Sequence, residues 1–115
     1  IAWLSIRPSL SSNKAMTSPS AVLRLRIRGR VQGVGFRDWT AKAAGAHSLT
    51  GWVRNRRDGS VEVLLVGVPP ALAAMRAACE SGPALARVDT VDEAEAPGDA
   101  EIAALSDGFH IRETV

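Results

Sequence analysis

Two groups of side chains in this sequence have types and spacing suited to chemistry. The first is Gly29-Arg30-Val31-Gln32-Gly33-Val34-Gly35-Phe36-Arg37, set between a strand-like run and a helix-like run. Its three glycines let the backbone take left-handed conformations, so that successive N–H groups can point into one concavity. Such a nest attracts anions, and a helix starting at its edge adds free N–H groups and the positive end of its dipole. Arg37 supplies a full charge and a planar fork of donors that suits a phosphate. The stretch lacks the Gly-Lys-Ser/Thr of a nucleotide P-loop and the dinucleotide fingerprint, so two readings stand: an anion site or a tight structural turn. Arg37 favours the anion, because the first turn of a helix otherwise prefers an acid. The second group is Gly51-Trp52-Val53-Arg54-Asn55. Asn55 offers donor and acceptor together, enough to fix a water or a reacting oxygen, or alternatively to stabilise a turn. Trp52 and Phe36 read as core or pocket wall.

The elements that must position these residues are legible from periodicity. Leu23, Leu25 and Ile27 alternate with Arg24, Arg26 and Arg28, the period-two pattern of a strand with one apolar and one cationic face. Phe36 to Ala46 is alanine-rich, with Phe36, Trp39/Thr40 and Ala43 at helical spacing, Asp38 near the N-terminus and Gly45 as the expected stop. Leu49 to Asn55 and Ser60 to Val66 read as strands joined by a hairpin at Arg56-Arg57-Asp58-Gly59. Pro69-Pro70 opens a second helix running to about Glu80, with Leu72, Met75 and Cys79 on its buried face. Residues 87–95 form a weaker strand, 96–108 an acidic connection, and 109–112 a short last strand. This order predicts a ferredoxin-like α+β sandwich: βαββαβ plus a short C-terminal strand, an antiparallel sheet with two helices on one face.

Composition bounds the rest. A chain of 115 residues with 46% hydrophobic content builds one core. One cysteine excludes an internal disulfide framework, and with only two histidines beside it no zinc-type spacing exists, so neither a cofactor nor a metal is expected. The longest apolar run, Val61 to Pro70, falls short of the ~20 residues of a membrane span and contains Glu62, Gly67 and two prolines. Residues 1–57 carry eleven Lys/Arg against Asp38 alone, whereas 58–115 carry three against eleven acids, so the positive field lies in the half with the glycine loop. The same asymmetry is compatible with ordinary solvated pairing between the halves. Residues 1–20, with five serines and two prolines beyond the opening IAWLSI, read as a poorly ordered tail, and Met16 is a candidate start. A targeting peptide is the alternative, but the basic region and apolar core required for secretion are missing. Residues 21–115 form the expected domain, cytoplasmic and monomeric.

Gly-Arg-Val-Gln-Gly-Val-Gly-Phe-Arg at 29–37, Gly-Trp-Val-Arg-Asn at 51–55 and Asp-Gly-Ser-Val-Glu at 58–62 together resemble the acylphosphatase family. The similarity spans about residues 22 to 113 and takes in Arg87-Val88-Asp89 and the closing Phe109-His110-Ile111-Arg112. It implies a metal-free enzyme that hydrolyses the carboxyl-phosphate anhydride of small acyl phosphates, releasing inorganic phosphate. It also implies a sheet in which the first strand lies between the third and fourth, and the second between the third and fifth. By position, Arg37 would bind the phosphate, the backbone of Arg30, Val31, Gln32, Gly33 and Val34, with Gly29 leading in, would cradle it, and Asn55 would place the attacking water. Acyl phosphates are activated anhydrides with a good leaving group, so geometry and charge stabilisation suffice without a protein nucleophile. Arg56 departs from the small polar residue that some relatives carry after the asparagine.

Two other classes are weighed against this. Arg24, Arg26 and Arg28 raise a nucleic-acid-binding sheet, but base-stacking aromatics are missing from the first and third strands, and neither nucleic acid nor a membrane is an expected partner. A non-catalytic domain that binds an acyl phosphate, akin to a segment of larger carbamoyl-transfer maturation proteins, is disfavoured by the presence of both Arg37 and Asn55.

Overall fold

The computed structural model describes residues 5–7 and 20–115. Its elements are β1 (Ser5–Arg7), β2 (Ser20–Arg30), α1 (Phe36–Ala46), β3 (Thr50–Asn55), β4 (Val61–Gly67), α2 (Pro69–Cys79), β5 (Arg87–Glu93), α3 (Asp99–Ala103) and β6 (Phe109–Ile111). The tail expected at 1–20 lies outside the described residues except for Ser5–Arg7 and Ser20, and there β1 pairs antiparallel with the start of β2.

The alternation in β2 sorts its side chains as the period-two pattern requires. Ala21, Leu23, Leu25 and Ile27 join Val53, Val61, Val63 and Leu65 in the main core. Phe36 and Ala44 of α1 and Leu72, Met75 and Cys79 of α2 cover them from one side. Burial raises the Cys79 thiol to about 12, so it packs as an inert small apolar group.

The sheet is mixed. β2 pairs antiparallel with β4, β4 antiparallel with β3, β5 antiparallel with β2, and β6 parallel with β3. Taking β2 to β6 as the first to fifth strands, the first lies between the third and fourth and the second between the third and fifth. The wholly antiparallel sheet expected from the strand pattern is corrected at β6, because its approach from α3 brings it alongside β3 in the same direction.

This topology decides where a site can form. β2 and β3 both run antiparallel to β4, so they run parallel to one another, and β6 runs parallel to β3. The C-terminal ends of all three therefore meet at one end of the sheet, with the β3–β4 hairpin between them.

Three local expectations change. Gly45 does not stop α1. The helix continues to Ala46, His47 caps it, and Ser48 takes the left-handed turn at φ 57° while Leu49 N–H closes onto the Ala44 carbonyl. With nothing crowding Gly45, the tertiary contacts of Leu49 set the boundary. The acidic connection contains α3, whose Ile102, with Leu105 beyond it, packs against Val22, Trp52 and Leu64 on the face opposite α1 and α2. That face is therefore partly roofed rather than open. Beside the roof, Arg24, Arg26, Arg54 and Arg56 converge on Glu62, which is 2% exposed, at 2.7, 3.9, 2.9 and 2.8 Å. Burial alone would raise the Glu62 carboxyl, but hydrogen bonds from Arg54, Arg24 and Arg56 outweigh it and hold it down to about 2.

Candidate active site

The site starts where β2 ends. Gly29, at φ 131°, sits where a Cβ would come within 2.2 Å of the Arg87 carbonyl oxygen, so glycine here lets β5 approach at a bulge. Arg30 still belongs to the ladder, paired with Arg87. The chain then leaves the sheet. Val31 is buried and anchors the loop, Gly33 and Gly35 take φ 74° and 79°, and Phe36 is buried as α1 begins. The N–H groups of Val31, Gln32, Gly33, Val34 and Gly35 donate to no backbone carbonyl among the described residues. α1 carries no side-chain cap, so its first N–H groups are also free.

Arg37 lies in the first turn of α1, half-buried, with neither ion pair nor hydrogen bond among the described residues. It thereby contrasts with Arg24, Arg26, Arg28, Arg54 and Arg56, all of which reach carboxylates.

A cavity of about 220 Å³ opens at this point, lined by Val31, Gly33, Gly35, Phe36, Arg37, Asp38, Asn55 and Ile111. That is smaller than the roughly 300–1,000 Å³ of pockets for drug-sized ligands. Asn55 reaches it from the last position of β3, where its backbone is fixed by pairing with Val61 and by the Val115 N–H. Its side-chain amide makes no hydrogen bond among the described residues. Among the described residues no Ser, Thr, Cys, His or Lys lines the cavity, so the described wall supplies donors, a cation and one carboxylate, Asp38, but no hydroxyl, thiol or amine nucleophile. Among the described residues no three His, Cys, Asp or Glu side chains are grouped to hold a metal ion.

Of the residues singled out by sequence, Val31, Gly33, Arg37 and Asn55 share this cavity, while Gly29, Arg30, Gln32 and Val34 are not part of its lining. Val34 packs against the main core. The Gln32 side chain turns to the β3–β4 hairpin. Gly35, Phe36, Asp38 and Ile111 are additional wall residues. The first two lie inside the glycine motif and Asp38 directly follows it, so all three were within reach of sequence reasoning. Ile111, 45% exposed, arrives only through the parallel pairing of β6 with β3 and left no local signal. Arg56 does not line the cavity, because its guanidinium is drawn to Glu62.

A ferredoxin-like sandwich with a donor-lined pocket at the shared end of three parallel strands defines a small α+β domain with an arginine-bearing cavity. A model of the acylphosphatase family matches residues 23–111. An acylphosphatase of Bradyrhizobium diazoefficiens is 54% identical over 79 residues, covering 69% of this chain and 80% of that protein. Among solved structures, the acylphosphatase of Bacillus subtilis superposes with a TM-score of 0.66 at 34% identity, covering 79% of this chain and 97% of the other. That of Coxiella burnetii gives 0.68 at 28% identity, with 81% and 93% covered. The chain belongs to the acylphosphatase family of enzymes.

Proposed function

We propose that this protein hydrolyses acyl phosphates by direct attack of water on phosphorus. The N–H groups of the loop from Arg30 to Val34 and the guanidinium of Arg37 hold the phosphoryl oxygens, and the Asn55 amide orients the water. The water oxygen bonds to phosphorus while the bond from phosphorus to the acyl oxygen breaks. The electron pair departs on the carboxylate, and the proton of the water passes to a phosphoryl oxygen. Charge grows on the equatorial oxygens as this happens, and preorganised donors in a small cavity stabilise it without reorganising.

The observation that carries this reading is the pairing, in one cavity, of a half-buried Arg37 with an Asn55 amide, both unengaged among the described residues. A domain that merely binds phosphate needs the first and not the second. The test is hydrolysis of benzoyl phosphate followed by ultraviolet absorbance, with and without EDTA. Turnover unaffected by the chelator is expected, and a pure folded protein without turnover refutes the enzyme reading. In ¹⁸O-water, label should appear in the phosphate; label in benzoate would mean attack at the carbonyl carbon instead.

A further inference from the structure

Gln32 sits in the middle of the cradle loop, yet its side chain does not line the cavity. Its Nε2 donates to the Arg56 carbonyl at 2.7 Å and to the Ser60 carbonyl at 2.9 Å, using both amide hydrogens. These two carbonyls are the ones that close the hairpin. Arg56 O also accepts from Gly59 N–H at 3.0 Å, and Ser60 O from Arg56 N–H at 2.9 Å. Asp58 braces the same turn through Ser60 N–H at 2.9 Å and the Ser60 hydroxyl at 2.6 Å. The hairpin begins at the residue directly after Asn55. One side chain therefore spans from the loop that follows β2, past the start of β4, to the backbone that fixes Asn55.

We infer that Gln32 is a positioning residue: a strut that sets the distance between the phosphate cradle and the Asn55 amide. This rests on the functional reading above and adds to it. Two pieces of chain, the β2–α1 loop and the β3–β4 hairpin, each carry one half of the reaction geometry, the phosphorus and the water. In-line attack is sensitive to misplacement on the scale of an ångström. A loop of glycines has no stiffness of its own to hold that distance, and a double hydrogen bond to a braced hairpin provides it.

The discriminating variants are Gln32→Met, which keeps length and loses both donors, and Gln32→Glu, which sets a carboxylate against two carbonyl oxygens. With benzoyl phosphate, Gln32→Met should lower kcat about tenfold while the inhibition constant for inorganic phosphate changes less than about threefold. In an Asn55→Ala background the same substitution should cost less than about twofold, since there is no water-holding amide left to align. Gln32→Glu should regain part of its loss as pH falls and the acid gains a proton to donate, a profile absent from wild type.

Weakening of phosphate inhibition in step with kcat would make Gln32 a phosphate ligand and overturn the inference. So would a full tenfold loss in the Asn55→Ala background, or an unchanged kcat in Gln32→Met. If wild type itself shows no turnover, the functional reading fails, and the strut is decided separately by NMR. Inorganic phosphate titrated into wild type should shift the amide resonances of Arg57 to Ser60, and Gln32→Met should abolish that shift. Equal shifts in both proteins refute it.

Discussion

Replacing Glu62 with glutamine should destabilise the fold at neutral pH and do so progressively less as the solution is acidified. Glu62 is the anion on which Arg24, Arg26, Arg54 and Arg56 converge, and it is 2% exposed. Its carboxyl is held down from the ordinary 4.5 to about 2 in the folded protein. A carboxyl depressed on folding contributes stability that is present above its unfolded value and is lost as pH falls through the folded one. The gap between those values, at about 1.4 kcal/mol per pH unit, corresponds to roughly 3 kcal/mol. Glutamine keeps the shape and removes the charge, leaving four guanidinium groups facing one another. Urea unfolding at pH 7 should therefore show Glu62→Gln less stable by about 3 kcal/mol, within the range for breaking a buried pair. Repeating the measurement between pH 5 and pH 2 should narrow the difference toward zero. Taking the difference removes the titration of Asp58, whose carboxyl is also lowered, first by the Ser60 hydroxyl. A wild-type-minus-variant difference that stays constant over this window would refute the assignment of Glu62 as the charged centre of the cluster.

The remaining predictions concern the cavity and the strand that feeds it. Removing one preorganised donor from a charge-stabilising site costs about 10²–10³ in rate, so Arg37→Gln and Asn55→Ala should each nearly silence benzoyl phosphate turnover while circular dichroism stays native. Arg37→Gln should also weaken competition by inorganic phosphate, whereas Asn55→Ala should act chiefly on kcat, and an Asn55→Ala variant retaining most of its rate would refute its role. Asp38 adds an exposed carboxylate to the cavity proposed to hold phosphate, so Asp38→Asn should tighten phosphate inhibition about two- to fivefold in low salt, with the gain shrinking at high ionic strength. An unchanged inhibition constant in low salt would mean that the carboxylate is fully screened from the guest. Gly29→Ala would drive a Cβ to within 2.2 Å of the Arg87 carbonyl oxygen, so thermal unfolding should show a loss of about 3 kcal/mol as β5 is forced off β2. A cost below ~1 kcal/mol would show that β5 yields easily.

Much of the site was legible in the sequence because its parts are local. A glycine loop that must turn left-handed, an arginine in the first helical turn and a hairpin marked by Asp-Gly each express themselves within a few residues, and their meaning does not depend on distant neighbours. The loop's glycines proved to have different duties all the same: Gly33 and Gly35 shape the free N–H run, while Gly29 admits β5. Only the strand across the sheet could separate them.

Other features depend on which strands become neighbours. The alternating arginines of β2 read only as the cationic face of a strand, yet registry with β4 sets Arg26 opposite Glu62, and β3 brings Arg54 opposite the same carboxylate. A helix in an acidic, weakly patterned segment was invisible until Ile102 found Trp52 to cover.

By itself, then, the sequence determined the order and type of the main elements, the glycine loop, and the two residues, Arg37 and Asn55, that bring a cation and an amide to the cavity. These follow from backbone conformation and side-chain chemistry, which are properties of short stretches. The tertiary structure alone decided that β2, β3 and β6 end together. That brings Ile111 into the wall, lets Gln32 span from loop to hairpin, and leaves Arg37 unengaged among the described residues while six other arginines are drawn to carboxylates. Whether a charge is spent on its own protein or kept for a ligand depends on what folding places within reach of it, and that is a property of strand pairing rather than of any one stretch of chain.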